Sequence, residues 1–264
     1  MDLQLTGRRA LVTGSTAGIG FAIASALAAE GAHVVLNGRD APRCAAALER
    51  LRAAQPGARL DAAPADLATA GGCARLIEAA GEVDLLVNNL GIFEPRPFEA
   101  IADDDWTRFF EVNVMSGVRL ARHHLPRMKQ RGFGRVVFIS SESGVCPPGD
   151  MVHYGMTKSA QLSVSRGLAE TCAGTGVTVN AVLPGPTRTE GVGAFLERLA
   201  RDAGRSVADA ERDFFAHARP TSLLRRFIEP PEVAAMVAYV CSPRAAATNG
   251  AALRVDGGVV RALI

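Results

Sequence analysis

The chain has 264 residues, 48% of them apolar, and its 29 basic and 27 acidic side chains leave a formal net charge of +2. This composition suits one large packed α/β domain and excludes a disordered chain, while the near-neutral balance leaves no electrostatic footprint for nucleic acid or a charged membrane surface. Five scattered cysteines (Cys44, Cys73, Cys146, Cys172 and Cys241) form no CxxC pair, which excludes a disulfide framework, leaves no metal-site spacing and points to a reducing cytoplasm.

Short apolar runs bounded by Gly, Pro, Asn or Ser alternate along the chain with longer helical patterns. A strand is expected at 8–13, then a helix at 19–30 that stops at Gly31. Strand 33–37 leads to helix 42–54, strand 59–63 to helix 69–80, and strand 84–88 to a long helix at 103–131, whose start Trp106 should pack. Strand 135–140 precedes helix 153–175, strand 177–183 follows it, and helix 231–242 and strand 252–255 close the pattern. Repeated strand–helix–strand units imply a parallel sheet covered on both faces. The predicted fold is therefore α/β: a single Rossmann-type, doubly wound, seven-stranded parallel sheet filling one domain over 1–264. Residues 190–228 break the rhythm with a mixed, charged stretch anchored by Phe195, Leu196, Leu199, Phe214 and Phe215. Ligands of such sheets bind beyond the carboxyl ends of the strands, so this insertion after the sixth strand is expected to form a substrate lid. The opening residues carry no charged-then-apolar leader, and no apolar run approaches the ~18 residues of a membrane span, so neither is expected.

The first strand runs into Thr13-Gly14-Ser15-Thr16-Ala17-Gly18-Ile19-Gly20. Glycines at a strand-to-helix turn let the backbone approach a pyrophosphate, and the helix N-terminus supplies N–H donors and partial positive charge. The second strand ends in Asn37-Gly38-Arg39-Asp40. An acidic residue at the strand end would hold the ribose 2′-hydroxyl of NAD; here Gly38 leaves room and Arg39 can meet a 2′-phosphate, which predicts NADP(H) in preference to NAD(H). Tyr154 and Lys158 lie four apart, on one face of a helix. An ammonium beside a phenol favours the phenolate and brings its pKa toward the working range of a general acid. Ser140, Ser141 and Ser143 follow strand 135–140 and compete for the role of polarising a carbonyl oxygen. The fourth strand ends in Asn88-Asn89-Leu90-Gly91 at the same edge, and Asn113 interrupts a helical pattern, where a buried amide needs partners. The histidines are not needed as ligands, and His153 should point away from the Tyr154 face. The cysteines are expected to be buried spectators.

In this order and spacing, the motifs resemble those of the short-chain dehydrogenase/reductase family, from Thr13 to Asp256-Gly257-Gly258. The resemblance matches Gly14, Gly18 and Gly20 to the glycine motif and Asp66 to an adenine contact. It also matches Asn88-Asn89-Leu90-Gly91 to N-N-A-G, Pro184-Gly185 to the P-G motif and Thr189 to a nicotinamide carboxamide contact. It implies further cofactor contacts at Ser15, Thr16, Ile19, Leu67, Asn89, Gly91 and Thr187, as well as at Tyr154 and Lys158. It assigns catalysis to Asn113, Ser141, Tyr154 and Lys158, selecting Ser141 because it lies thirteen residues before the tyrosine. The implied reaction moves hydride between NADP(H) and a carbonyl or secondary alcohol without metal. Tyr154 exchanges the proton, Ser141 positions the oxygen, Lys158 binds ribose and lowers the tyrosine pKa, and Asn113 holds a relay water. Leu90 replaces the family alanine and is expected to pack against a neighbouring helix. The family also implies a homo-oligomer, tetramer or dimer, through 103–131 and 153–175. A 3-oxoacyl-acyl carrier protein reductase and a sugar-acid or polyol dehydrogenase are the specific alternatives. For the first, Arg122, His123, His124, Arg127, Lys129 and Arg131 could meet an acidic acyl carrier protein. A non-catalytic dinucleotide-binding regulator is disfavoured, because Tyr154 and Lys158 are both retained.

Overall fold

Alternation along each strand sends neighbouring side chains into two different cores. In β1 (Arg9–Val12), Ala10 and Val12 join one apolar cluster and Leu11 the other. In β2 (His33–Leu36), Val34 and Leu36 part from Val35 in the same way, and in β4 (Leu85–Asn88) Leu85 and Val87 part from Leu86. Burial on both faces is why these strands read as continuous apolar runs. Each fully buried Leu or Val contributes about 1.5–3 kcal/mol over leaving it in water.

The computed structural model describes residues 1–263; the side chains of Phe195 and Leu199, two of the predicted lid anchors, lie outside the described residues. The remaining strands are β3 (Leu60–Ala62), β5 (Gly134–Ile139), β6 (Val177–Pro184) and β7 (Ala252–Val255). All pair in parallel, in the order β3-β2-β1-β4-β5-β6-β7. This is the expected seven-stranded doubly wound sheet. Its order reverses between β1 and β4, which opens a crevice at the carboxyl ends there.

The cluster holding Val12 and Val87 also takes side chains of α1 (Gly18–Ala29), α2 (Ala41–Ala54) and α9 (Pro230–Cys241). The cluster holding Leu11 and Leu86 takes those of α3 (Ala70–Ala80), α5 (Ser116–Arg131) and α6 (Val152–Glu170). No helix among the described residues is long and apolar enough to cross a membrane.

The structure departs from the expected elements in three places. The predicted helix 103–131 is divided into α4 (Asp103–Phe110), a π-helical turn at Glu111–Met115, and α5. The wide turn carries Asn113, whose amide bonds across to another segment instead of following the helix surface. The predicted helix 153–175 ends early, at Glu170, before Gly174 and Gly176, which take φ values of +73° and +75°. Residues 190–228 fold as α7 (Glu190–Asp202), α8 (Val207–Asp213) capped by Ser206, and a π turn, around a small separate core of Leu196, Phe215 and Phe227. Cys146 is exposed, against the expectation of buried cysteines; the other four are buried.

Candidate active site

The glycine turn is held from behind. The Asn89 amide donates to the carbonyls of Thr13 at 2.9 Å and Gly14 at 3.0 Å, and the backbone N–H groups of Asn89 and Leu90 donate to the Thr13 hydroxyl. A Cβ at Gly20 would collide with the Asn89 amide and the Gly14 carbonyl, so only glycine starts α1 at this distance from β4. The N-cap of α1 is Ala17, which offers no side-chain cap, and its first turn holds no acid. The orphan N–H groups of Gly18, Ile19 and Gly20 therefore stand at the cleft without a carboxylate against them, a cradle that fits a pyrophosphate.

Ser15 and Thr16 act behind this turn. The Ser15 hydroxyl donates to the Val12 carbonyl and is buried, while the Thr16 methyl would lie 2.6 Å from a Cβ at Gly38. Gly38 is thus required by packing as well as by room for a ligand. Beyond it Arg39 is exposed, with no hydrogen-bond partner among the described residues. Asp40 is committed elsewhere: it caps α2, accepting from Arg43 N–H at 2.9 Å. Asp66 is half-buried after β3 and accepts from Ala68 N–H, while the Leu67 side chain belongs to the core and leaves only its backbone to meet a ligand. Leu90 packs against the cluster of Leu11 and Leu86.

A cleft of about 690 Å³ lies along the strand ends. It brings together Gly18, Ile19, Gly20, Asn89, Gly91, Ser141, Tyr154, Lys158, Pro184, Gly185, Thr187 and Thr189 from the predicted set. Gly14, Ser15, Thr16, Arg39, Asp66, Leu67 and Asn113 do not line it. The Thr187 hydroxyl donates to the Gly185 carbonyl, and Thr189 lies against Gly18, so the segment after β6 closes over the glycine turn. Residues 190–228 supply Val192, Phe214, Arg219 and Phe227 to the far wall.

The three candidate serines separate. Ser140 turns its hydroxyl away to the Lys158 carbonyl at 2.9 Å. Ser141 and Ser143 both donate to one carboxylate oxygen of Glu142, at 2.6 and 2.5 Å. Tyr154 keeps a partly exposed surface, yet the crowding around it pushes the phenol well above its ordinary value. Burial is the largest cause; the nearby Ser141 hydroxyl opposes it, the Glu142 charge adds to it and the Arg219 charge opposes it. The depression expected from Lys158 is not met: the phenol is raised, and the groups that oppose the rise are Ser141 and Arg219.

Lys158 is itself buried and held down to about 7 by loss of water. Its ammonium lies 5.6 Å from the centre of the Tyr154 ring and donates to the Ile139 carbonyl and to Gln161 Oε1. Asn113 is held by bonds within the protein. Its side chain accepts from Ile92 N–H and donates to the Ile92 carbonyl and Thr157 Oγ1, so the amide is filled by protein. Its main-chain carbonyl accepts from Gln161 Nε2 at 2.6 Å. Gln161 therefore links Lys158 to Asn113. Gln161, Glu142 and Arg219 were missed in sequence. Gln161 lies three residues past Lys158 and Glu142 next to Ser141, which were usable signals; Arg219 had none.

His153 is buried against Phe109 and Trp106. In the basic stretch of α5, burial lowers His124 to about 4, Lys129 donates to Thr171 and Arg131 pairs with Glu82, while Arg122 and Arg127 are exposed.

A parallel sheet with an uncapped glycine turn at its switch point and a tyrosine, serine and lysine in the adjoining cleft defines a dinucleotide-dependent oxidoreductase. The model of the short chain dehydrogenase family matches residues 8–199, and the chain belongs to that family of oxidoreductases acting on alcohol and carbonyl groups. It is 51% identical to the uncharacterized oxidoreductase YvaG of Bacillus subtilis, over 100% of both chains. It is 34% identical to D-beta-hydroxybutyrate dehydrogenase of Cupriavidus necator, over 97% of this chain and 99% of that one. Among solved structures, L-sorbose reductase from Gluconobacter frateurii, complexed with NADPH and L-sorbose, superposes with a TM-score of 0.93 at 33% identity, over all of both chains.

Proposed function

We propose that the protein interconverts a small carbonyl compound and its secondary alcohol with NADP(H), Tyr154 exchanging the proton. The observation that carries this reading is the convergence of Ser141, Tyr154 and Lys158 on the cleft that continues to the glycine turn. When bound, the nicotinamide supplies or accepts the hydride. Tyr154 donates its phenolic proton to the substrate oxygen, and Ser141 positions that oxygen. Lys158 binds the ribose, its ammonium 5.6 Å from the centre of the Tyr154 ring.

Preference for NADP(H) is supported by Arg39, unpaired at the end of β2, and by Asp40, whose cap role removes it from the ribose. The NADPH held by the similar L-sorbose reductase favours the same cofactor. Burial of His124 and the pairing of Arg131 with Glu82 leave less of the α5 basic stretch to an acyl carrier protein, which favours a small molecule. The segment 190–228, lining the far wall, acts as the lid, and assembly through the faces of α5 and α6 gives a homo-oligomer that light scattering would read.

The test follows NADPH absorbance across a panel of ketones. Tyr154→Phe should lower turnover by about 10²–10⁴-fold while NADPH affinity stays within about twofold, since only a hydroxyl is lost. Binding without oxidation across the panel would replace this reading with a regulatory one.

A further inference from the structure

Glu142 is a charged group in an unusual place. It follows Ser141 directly, is 4% exposed, and lines the cleft beside Tyr154. One carboxylate oxygen, Oε2, takes the Ser141 and Ser143 hydroxyls; the other takes Arg219 Nε at 2.8 Å, from the segment over the cleft. Arg219 is the counter-charge that a buried carboxylate requires.

These bonds set a constraint. A serine hydroxyl has one proton. Ser141 gives its proton to Glu142 and accepts from Ser143 N–H at 3.1 Å. To donate to a substrate carbonyl, Ser141 must withdraw that proton, which strips a buried carboxylate oxygen of a charge-assisted bond. A substrate can restore the loss if it brings a hydroxyl of its own. The reach is set by the Ser141–Glu142 separation of 2.6 Å. A carbonyl oxygen at ~2.7 Å from Ser141 Oγ and a hydroxyl on the adjacent carbon, ~2.8 Å from that oxygen, close a four-oxygen ring with every edge near hydrogen-bond length.

We propose that Glu142 is a specificity-determining acceptor for a substrate hydroxyl, so that the preferred substrates are α-hydroxy ketones and, in reverse, vicinal diols. The proposal rests on the carbonyl–alcohol reading of the same site. The substrate hydroxyl replaces the Ser141 hydroxyl on Oε2 as Ser141 turns to the carbonyl oxygen. Arg219 fixes the carboxylate during the exchange. A carboxylate in that position of the substrate would face Glu142 and be repelled.

The experiment compares matched pairs with NADPH: 3-hydroxybutan-2-one against butan-2-one, and 1-hydroxybutan-2-one against the same ketone, with butane-2,3-diol against butan-2-ol in reverse. Wild-type kcat/KM should favour the hydroxylated member by roughly 10–100-fold, the worth of a hydrogen bond to a charged group. Glu142→Gln, which keeps the shape, and Glu142→Ala should each collapse that ratio to within about threefold, a change that lost stability alone does not produce. Arg219→Ala, which frees the carboxylate, is a second route should both Glu142 variants fold poorly, and it should shrink the ratio too. Equal or better wild-type use of the plain ketone, or an unchanged ratio in a folded Glu142 variant, overturns the proposal while leaving the carbonyl reading intact. Turnover of neither member, with NADPH bound, overturns both.

Discussion

Replacing Arg39 with alanine tests the cofactor reading at a single bond. Its guanidinium is exposed beyond β2 and makes no hydrogen bond among the described residues, so the substitution costs the fold almost nothing. A charge-assisted hydrogen bond contributes about 1.5–3 kcal/mol, and exposure to water places this one at the lower end. At ~1.4 kcal/mol per factor of ten, NADPH affinity should fall about tenfold while NADH affinity stays within about twofold. Titrating each cofactor into both proteins by its own fluorescence reads the two constants directly. The NADPH difference should also shrink at high salt, because screening shortens the reach of an exposed charge from ~10 Å at 0.1 M to ~3 Å at 1 M. An NADPH/NADH ratio unchanged by the substitution would refute the assignment of Arg39 to the 2′-phosphate.

Asp40→Ala should cost about 1 kcal/mol in urea unfolding through loss of the α2 cap, with the NADPH/NADH ratio unmoved; a shifted ratio would return Asp40 to the ribose. Lys158 gives a pH prediction. Burial lowers it from 10.5 to about 7, so between those values the unfolded chain binds more protons and wild-type stability rises with pH. Lys158→Met removes the cost of burying the charge, so its melting temperature relative to wild type should be most favourable below pH 7 and decline toward pH 10; a pH-independent difference would contradict the buried charge. Leu90→Ala restores the family residue but empties space in the cluster of Leu11 and Leu86; calorimetry should show about 2 kcal/mol of lost stability, with cofactor affinity within about twofold.

The elements were legible because their signals are local. Apolar runs at strand length and glycines at strand ends suffice to call β1, the glycine turn and α1, whatever the rest of the chain does. Asn113 marks where such reading stops. Its poor fit to a helix was visible, but the π-helical turn and the saturation of its amide by Ile92 and Thr157 depend on a loop and a helix remote in sequence. Arg131 shows the same limit, since its charge is read from sequence but its pairing with Glu82, 49 positions away, is not.

The sequence by itself determined the doubly wound sheet, the cradle at the start of α1, and the Tyr154–Lys158 pair on one helix face, all of which follow from backbone periodicity and the conformational freedom of glycine. Only the tertiary structure decided which hydroxyls, amides and charges are already spent: Ser140 on Lys158, Gln161 between Lys158 and Asn113, and Arg219 on Glu142 across 77 positions. A hydrogen bond is short and directional, so its partner is chosen by packing in space and not by order along the chain.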